Sequence, residues 1–305
     1  HDCMGSQSTL FFHDWTGLRP HWRKGDLLMY SSVSLIELCI HQVCVWKQTS
    51  FAESLDCFAR HGVTSTALWK PLVDDAGVKQ AKKNLKDSGV SAISMCPLVL
   101  LEPQNEHDSV LRAKQHLQFL EEAAELEVKS VIVITGGLSP ESRDINGQRQ
   151  KVLEELELLI GQAEGTGLKL AIEPLHPMVC GTRSVISSLS EANDILDKLK
   201  RDDVMGIAVD TYALWWDAGL KEEIQRAGSR LLNFHVSDWL YETRDIRLDR
   251  GMPGDGQIDN ALIRSWMREA GYKGLVEVEI LSEMDWWKKP ADTVVRKICE
   301  RISFL

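Results

Sequence analysis

Four short apolar runs between Leu170 and Leu281 each end in a side chain able to bind a metal ion. They read Leu170-Ala-Ile-Glu173, Gly206-Ile-Ala-Val-Asp210, Leu231-Leu-Asn-Phe-His235 and Leu275-Val-Glu-Val-Glu279. One such ending is common; four in succession, with helical patterns between them, constrain the fold. Parallel strands closed into a barrel bring their C-terminal ends to a single mouth. There, three carboxylates and an imidazole would surround one divalent cation and leave room for substrate oxygens.

The remainder of the chain repeats the same alternation. β-branched runs at 34–40, 65–68, 92–95, 130–134, 169–172, 206–209, 232–235 and 276–280 alternate with longer amphipathic stretches, among them 51–60, 110–126, 149–163 and 191–199. Gly62, Gly89, Gly167 and Gly274 fall just before strands, where a helix end commonly takes a left-handed residue. Ser190 is placed to cap the helix that begins at Glu191. The expected fold class is α/β, a single (β/α)8 TIM barrel over residues 33–305, preceded by an N-terminal extension over residues 1–32. The extension contains Phe11, Phe12, Trp15 and Trp22, and its first residues are consistent with a cloning remnant. An open doubly wound sheet would need a glycine-rich phosphate loop after its first strand, and none is present. Thr135-Gly136-Gly137 is too short for that role and reads as a loop that lets backbone approach the site.

Composition narrows the class of function. A formal net charge of −10 argues against a protein whose main partner is nucleic acid, which requires a basic footprint. No apolar run approaches the roughly 20 residues that span a bilayer, so no membrane partner is expected. The seven cysteines show no CxxC pair and several sit in apolar runs. They read as reduced, buried thiols of a cytoplasmic protein. The first residues lack the charged start and apolar block of a secretion signal.

Taken singly, each of the four strand-end residues has an ordinary explanation. Glu173 before Pro174 reads as a loop carboxylate, Asp210 as a helix cap, His235 as a buried histidine bonded to backbone, and Glu279 as a polar residue facing the barrel interior. Taken together they do not. Three unpaired carboxylates near one another in a barrel would repel unless a cation neutralised them.

The motifs Ala-Ile-Glu-Pro-Leu-His-Pro, Val-Asp-Thr-Tyr-Ala-Leu-Trp-Trp-Asp, Phe-His-Val-Ser-Asp-Trp, Arg-Gly-Met-Pro-Gly-Asp-Gly and Glu-Val-Glu-Ile resemble those of the xylose isomerase-like sugar phosphate isomerase/epimerase family. The resemblance spans roughly residues 33–304. It implies that Glu173, Asp210, His235 and Glu279 bind one divalent cation, manganese first and magnesium, cobalt or zinc as alternatives. It also implies that Glu173 and Glu279 act as acid and base on opposite faces of a sugar or keto-sugar, through a metal-stabilised enediolate, and that the protein is a homo-oligomer. Arg250 matches the substrate-binding arginine of the family; its other reading is a loop arginine paired with Asp249 or Asp255. His176 either reaches substrate or orients its own loop.

One departure is Ala213, where family members acting on simple ketoses often carry histidine. Together with Trp46, Trp69, Trp215, Trp216, Trp239, Trp286 and Trp287, expected around the mouth, it points away from a small phosphorylated sugar and toward a larger, substituted keto-sugar. Trp69 and Trp216 are the tryptophans expected to touch substrate. A lyase on the same site is the alternative chemistry, expelling a β-leaving group from a keto-sugar or a dehydroshikimate-like substrate. A DNA-repair endonuclease would need several more strand-end histidines, whereas only nine histidines occur and those outside the motifs, such as His61, His107 and His116, fall in helices or loops; an inactive binding barrel would not need all four ligand positions filled.

Overall fold

The structure is a computed structural model that describes residues 33–102 and 107–305. The expected extension over residues 1–32, with its aromatic residues and Cys3, lies outside the described residues.

Eight parallel strands close into a barrel in chain order, and β8 pairs with β1. They are β1 (Leu38–His41), β2 (Ser65–Trp69), β3 (Ser91–Val99), β4 (Ser130–Ile134), β5 (Lys169–Ile172), β6 (Met205–Asp210), β7 (Leu231–Val236) and β8 (Val276–Val278). The described helices are α1 (Phe51–Arg60), α2 (Lys70–Ala76), α3 (Val78–Ser88), α4 (Ser109–Glu125), α5 (Ile145–Ala163), α6 (Leu189–Leu199), α7 (Thr211–Leu214), α8 (Leu220–Ala227), α9 (Asn260–Glu269) and α10 (Ala291–Glu300). β4 is buried at every residue, which explains why it reads as an unbroken apolar run: both of its faces are covered. α1 starts at a capping box between Ser50 and Glu53 and buries Phe51, Leu55 and Phe58 along one face. Each such side chain stabilises the fold by about 1.5–3 kcal/mol.

Several boundaries differ from the sequence expectation, each for a local reason. Residues 35–37 form a 3-10 turn closed by Ser34 and Glu37, so β1 begins at Leu38 and runs one residue further, to His41. Ile36 is 81% exposed, so its apolar character marks no buried strand. α6 is capped by Ser188, not Ser190. The Ser188 hydroxyl accepts from the Glu191 N–H at 3.2 Å, and the Glu191 carboxylate accepts from the Ser188 N–H at 3.2 Å, the spacing a capping box requires. The positive φ after α9 is at Gly271 (95°); Gly274 is needed because a Cβ there would lie 2.3 Å from the Tyr272 hydroxyl.

Cys39, Cys44, Cys57 and Cys96 are buried free thiols, and Cys180 and Cys299 are free and partly exposed. Among the described residues no helix is long and apolar enough to cross a membrane. Removing the observed cap by Ser188→Ala is expected to lower unfolding free energy by about 1 kcal/mol. Ser190→Ala should change it by less than about 0.5 kcal/mol. Urea denaturation of both variants checks the assignment.

Candidate metal and catalytic site

The C-terminal ends of β5 to β8 converge as the alternation of a barrel strand demands. Glu173 directly follows β5 and stays in register through its N–H, which donates to Val133 O at 3.0 Å; Glu279 follows β8 and donates to Val236 O at 2.9 Å. Asp210 ends β6 and His235 lies in β7, paired in register. All four are at most 4% exposed.

Three of the four meet directly. His235 Nδ1 lies 2.8 Å from Glu173 Oε1 and 3.9 Å from Glu279 Oε2, and the ligand atoms of Glu173, His235 and Glu279 lie within 4.8 Å of one another. Asp210 joins them through Arg250, whose Nη1 donates to Asp210 Oδ2 at 3.0 Å and to Glu279 Oε2 at 2.9 Å. The other Asp210 oxygen accepts from the Tyr212 N–H at 2.9 Å, so the aspartate is a helix cap as well as a member of the cluster. His235 makes no backbone bond of the ordinary buried kind. Its far nitrogen, Nε2, faces Glu277 Oε2 at 3.5 Å.

These contacts set the charges. Burial, reinforced by Glu279 and Asp210 against the pull of His235, raises the Glu173 carboxyl to about 7. Glu279 is equally buried, but Arg250, His41 and His235 outweigh burial and hold it at about 2. Burial also raises Asp210, with Arg250 opposing it. For His235, burial disfavours the imidazolium, yet Glu173 and Glu277 outweigh it and raise the pKa.

Arg250 owes its position to the loop after β7. The buried Asp238 carboxylate accepts from the N–H groups of Trp239, Gly254 and Ile258 at 2.8–2.9 Å, closing the loop on itself. Gly256 is required there, since a Cβ would stand 2.2 Å from Trp239 O. Asp249 and Asp255 are engaged by Arg244 and Arg301, which leaves Arg250 to the carboxylate cluster. Its guanidinium also packs 4.5 Å from the Tyr212 ring centroid.

A narrow cleft, open at its mouth, lies over the cluster; Trp69, Glu173, His176, Arg183, Tyr212, Arg250 and Glu279 are part of its wall. His176 lines the cleft, and its Nδ1 accepts from the Met178 N–H at 3.2 Å, which orients its own loop. Ala213 is in the wall, where a larger side chain would take up space. Trp216 is not; it is 42% exposed and meets His176 edge-on at 6.0 Å. The tryptophans otherwise pack on one another or on the barrel: Trp46 lies between Trp69 and Trp287, and Trp239 stacks on Tyr212 and His176. Trp286 and Trp287 are buried.

Sequence reasoning missed three neighbours of the cluster. His41, fully buried at the end of β1, lies 3.6 Å from Glu279 and was lost to the misplaced end of that strand. Cys96 approaches His41 and Glu279 from β3. Glu277 sits one inward layer beneath Glu279, holding hydrogen bonds from Ser94 Oγ (2.9 Å) and Asn233 Nδ2 (2.7 Å). Its signal was present in Glu-Val-Glu, because residues two apart on a strand share a face.

Comparison with known proteins agrees with this architecture. The sequence model of the xylose isomerase-like TIM barrel matches residues 55–299. Inosose isomerase of Bacillus licheniformis is 23% identical over 278 residues, covering 86% of this chain and 94% of its own. The crystal structure of protein SMc04130 from Sinorhizobium meliloti superposes with a TM-score of 0.83 at 34% identity, covering 88% of this chain and 98% of that one. The IolI protein, solved with a bound zinc atom, has a TM-score of 0.73 at 18% identity, over 87% of this chain and 96% of its own. The chain thus belongs to the xylose isomerase-like TIM barrel family.

Proposed function

We propose that this protein is a divalent-cation-dependent sugar isomerase or epimerase that moves a proton next to a carbonyl. The observation that carries the reading is the placement of Glu173 and Glu279, from strands three apart in the barrel, on one buried imidazole at the floor of a cleft. Two carboxylates reaching the same point from different strands suit removal of a carbon-bound proton on one face and its return on the other. The isomerase name carried by the Bacillus relative supports the same class.

The residues fit a cation. Glu173, Asp210 and Glu279 supply oxygen donors and His235 turns Nδ1 toward them, a set suited to manganese and equally open to magnesium, cobalt or zinc. The zinc seen in the IolI protein is consistent with a divalent ion in this fold. When bound, such an ion would polarise the substrate carbonyl and so acidify the neighbouring C–H. Glu277 then acts through His235: a carboxylate behind Nε2, held by Ser94 and Asn233, fixes the ring's orientation and keeps Nδ1 facing the site. Arg250 would face negative charge developing on a substrate oxygen, and the small Ala213 in the cleft wall keeps side-chain bulk away from the substrate.

Turnover in deuterium oxide with manganese-loaded protein and a panel of free and substituted ketoses and 3-keto-sugars tests the reading. Deuterium entering the carbon beside the carbonyl, with mass otherwise conserved, is the expected result; loss of water or an aglycone would assign elimination instead. Glu173→Gln and Glu279→Gln are each expected to lower turnover by about 100- to 10,000-fold. Chelation should abolish activity, and manganese at about 100 times its dissociation constant should restore it while adding about 2.7 kcal/mol of stability. Glu277→Gln is expected to weaken manganese binding about 10- to 100-fold, measured by calorimetry independently of turnover.

A further inference from the structure

We propose that the cleft contains an anion subsite built from Arg183 and Arg247, so that the substrate carries a carboxylate or a phosphate in addition to its reacting carbonyl. This rests on the reading of the cleft as the substrate site. Arg183 comes from the loop between β5 and α6 and Arg247 from the loop between β7 and α9, and both line the cleft that holds Glu173 and Glu279.

The contrast with neighbouring arginines carries the argument. Arg250 is answered by Asp210 and Glu279, Arg244 by Asp249 and Arg301 by Asp255. The side chains of Arg183 and Arg247 make no hydrogen bond or ion pair with any described residue, although Arg183 is half-buried. Burial, followed by the nearby charges of Arg247 and Arg250, brings the Arg183 guanidinium down to about 10. A partly desolvated guanidinium beside two others of like sign, opposed only by Glu173 and Glu279 beyond ion-pair distance, is unfavourable. An anionic oxygen pair reverses that cost, because two planar forks offer parallel N–H donors in the geometry of a carboxylate or phosphate.

Their backbones, by contrast, are held firmly. The Arg183 N–H donates to Val179 O at 2.8 Å, and the Val185 N–H donates to Gly136 O at 2.9 Å. A Cβ on Gly137 would lie 2.5 Å from the Thr182 carbonyl carbon, so this glycine lets the Arg183 loop press against β4's end. The Arg247 and Leu248 N–H groups both donate to Asp245 Oδ1 at 2.8 Å. Anchored backbones with unpaired guanidinium groups form a prepared binding surface. Ala213 leaves space in the cleft wall for a substituent, and the two arginines give that substituent a charge.

The test uses the full chain loaded with manganese. Calorimetric titration with inorganic phosphate and with malonate is expected to show binding of one or both, weakened about 10- to 100-fold by Arg183→Gln and by Arg247→Gln. Manganese affinity, measured alongside, reports whether each variant retains its fold and metal site. Deuterium exchange into a neutral 3-keto-sugar, its 6-carboxylate and its 6-phosphate then names the anion: the preferred form shows the higher kcat/KM in the native protein, and Arg183→Gln narrows its advantage through KM. Equal kcat/KM for neutral and charged forms, with anion titrations unaffected by either variant, would overturn the subsite while leaving the isomerase reading in place. Arginine-dependent phosphate or malonate binding without exchange into any panel member would support the subsite and count against the isomerase reading.

Discussion

Arg250 Nη1 lies between Asp210 and Glu279, and the remainder of the site is arranged around that contact. Two like charges about 4 Å apart repel by about 4 kcal/mol at an effective dielectric of about 20, and each buried carboxylate costs several kcal/mol more in lost hydration. Three carboxylates at the floor of the barrel are therefore tolerable only where positive charge is supplied. Arg250 supplies it on one side and His235 on the other, and the split between an acidified Glu279 and a raised Glu173 follows from their unequal shares of the two.

That requirement reaches outward through the fold. The loop bearing Arg250 is stitched by Asp238 to its own backbone, and Asp249 engages Arg244, so the guanidinium arrives already oriented. Beneath the site, Glu277 occupies the next inward layer of the barrel and is itself satisfied by Ser94 and Asn233. A polar layer in a barrel interior is costly wherever a member lacks a partner, and here Glu277 is satisfied while Asn233 Oδ1 and His235 Nε2 make no hydrogen bond among the described residues. Here the layer also backs His235. Above the site, unpaired positive charge at Arg183 and Arg247 gives the cleft a polarity opposite to its carboxylate floor.

Much of this was legible in the chain. Eight β-runs with helical patterns between them, and no phosphate loop after the first, make a closed barrel the economical reading, and the strand-end positions of Glu173, Asp210, His235 and Glu279 follow from where those runs stop. Closure brings these four to one mouth, and local pattern suffices because strand ends in a parallel barrel share one rim. Errors at single boundaries had larger effects. Ending the first strand at Ile40 hid His41, and reading Ser190 instead of Ser188 as the cap missed the three-residue spacing to Glu191.

What the amino-acid order determined by itself was therefore the barrel and the identity of the strand-end side chains, since both depend on periodicities of two and about 3.6 residues within short segments. Only the tertiary structure decided their partners. It joined Arg250 to Asp210 across 40 positions and His235 to Glu173 across 62, and it left Arg183 and Arg247 unpaired on two separate loops facing one cleft. It also sent most of the tryptophans into packing rather than to the substrate wall. Such pairings depend on the directions in which side chains leave neighbouring strands and loops, and barrel closure sets those directions between segments that are remote in the chain.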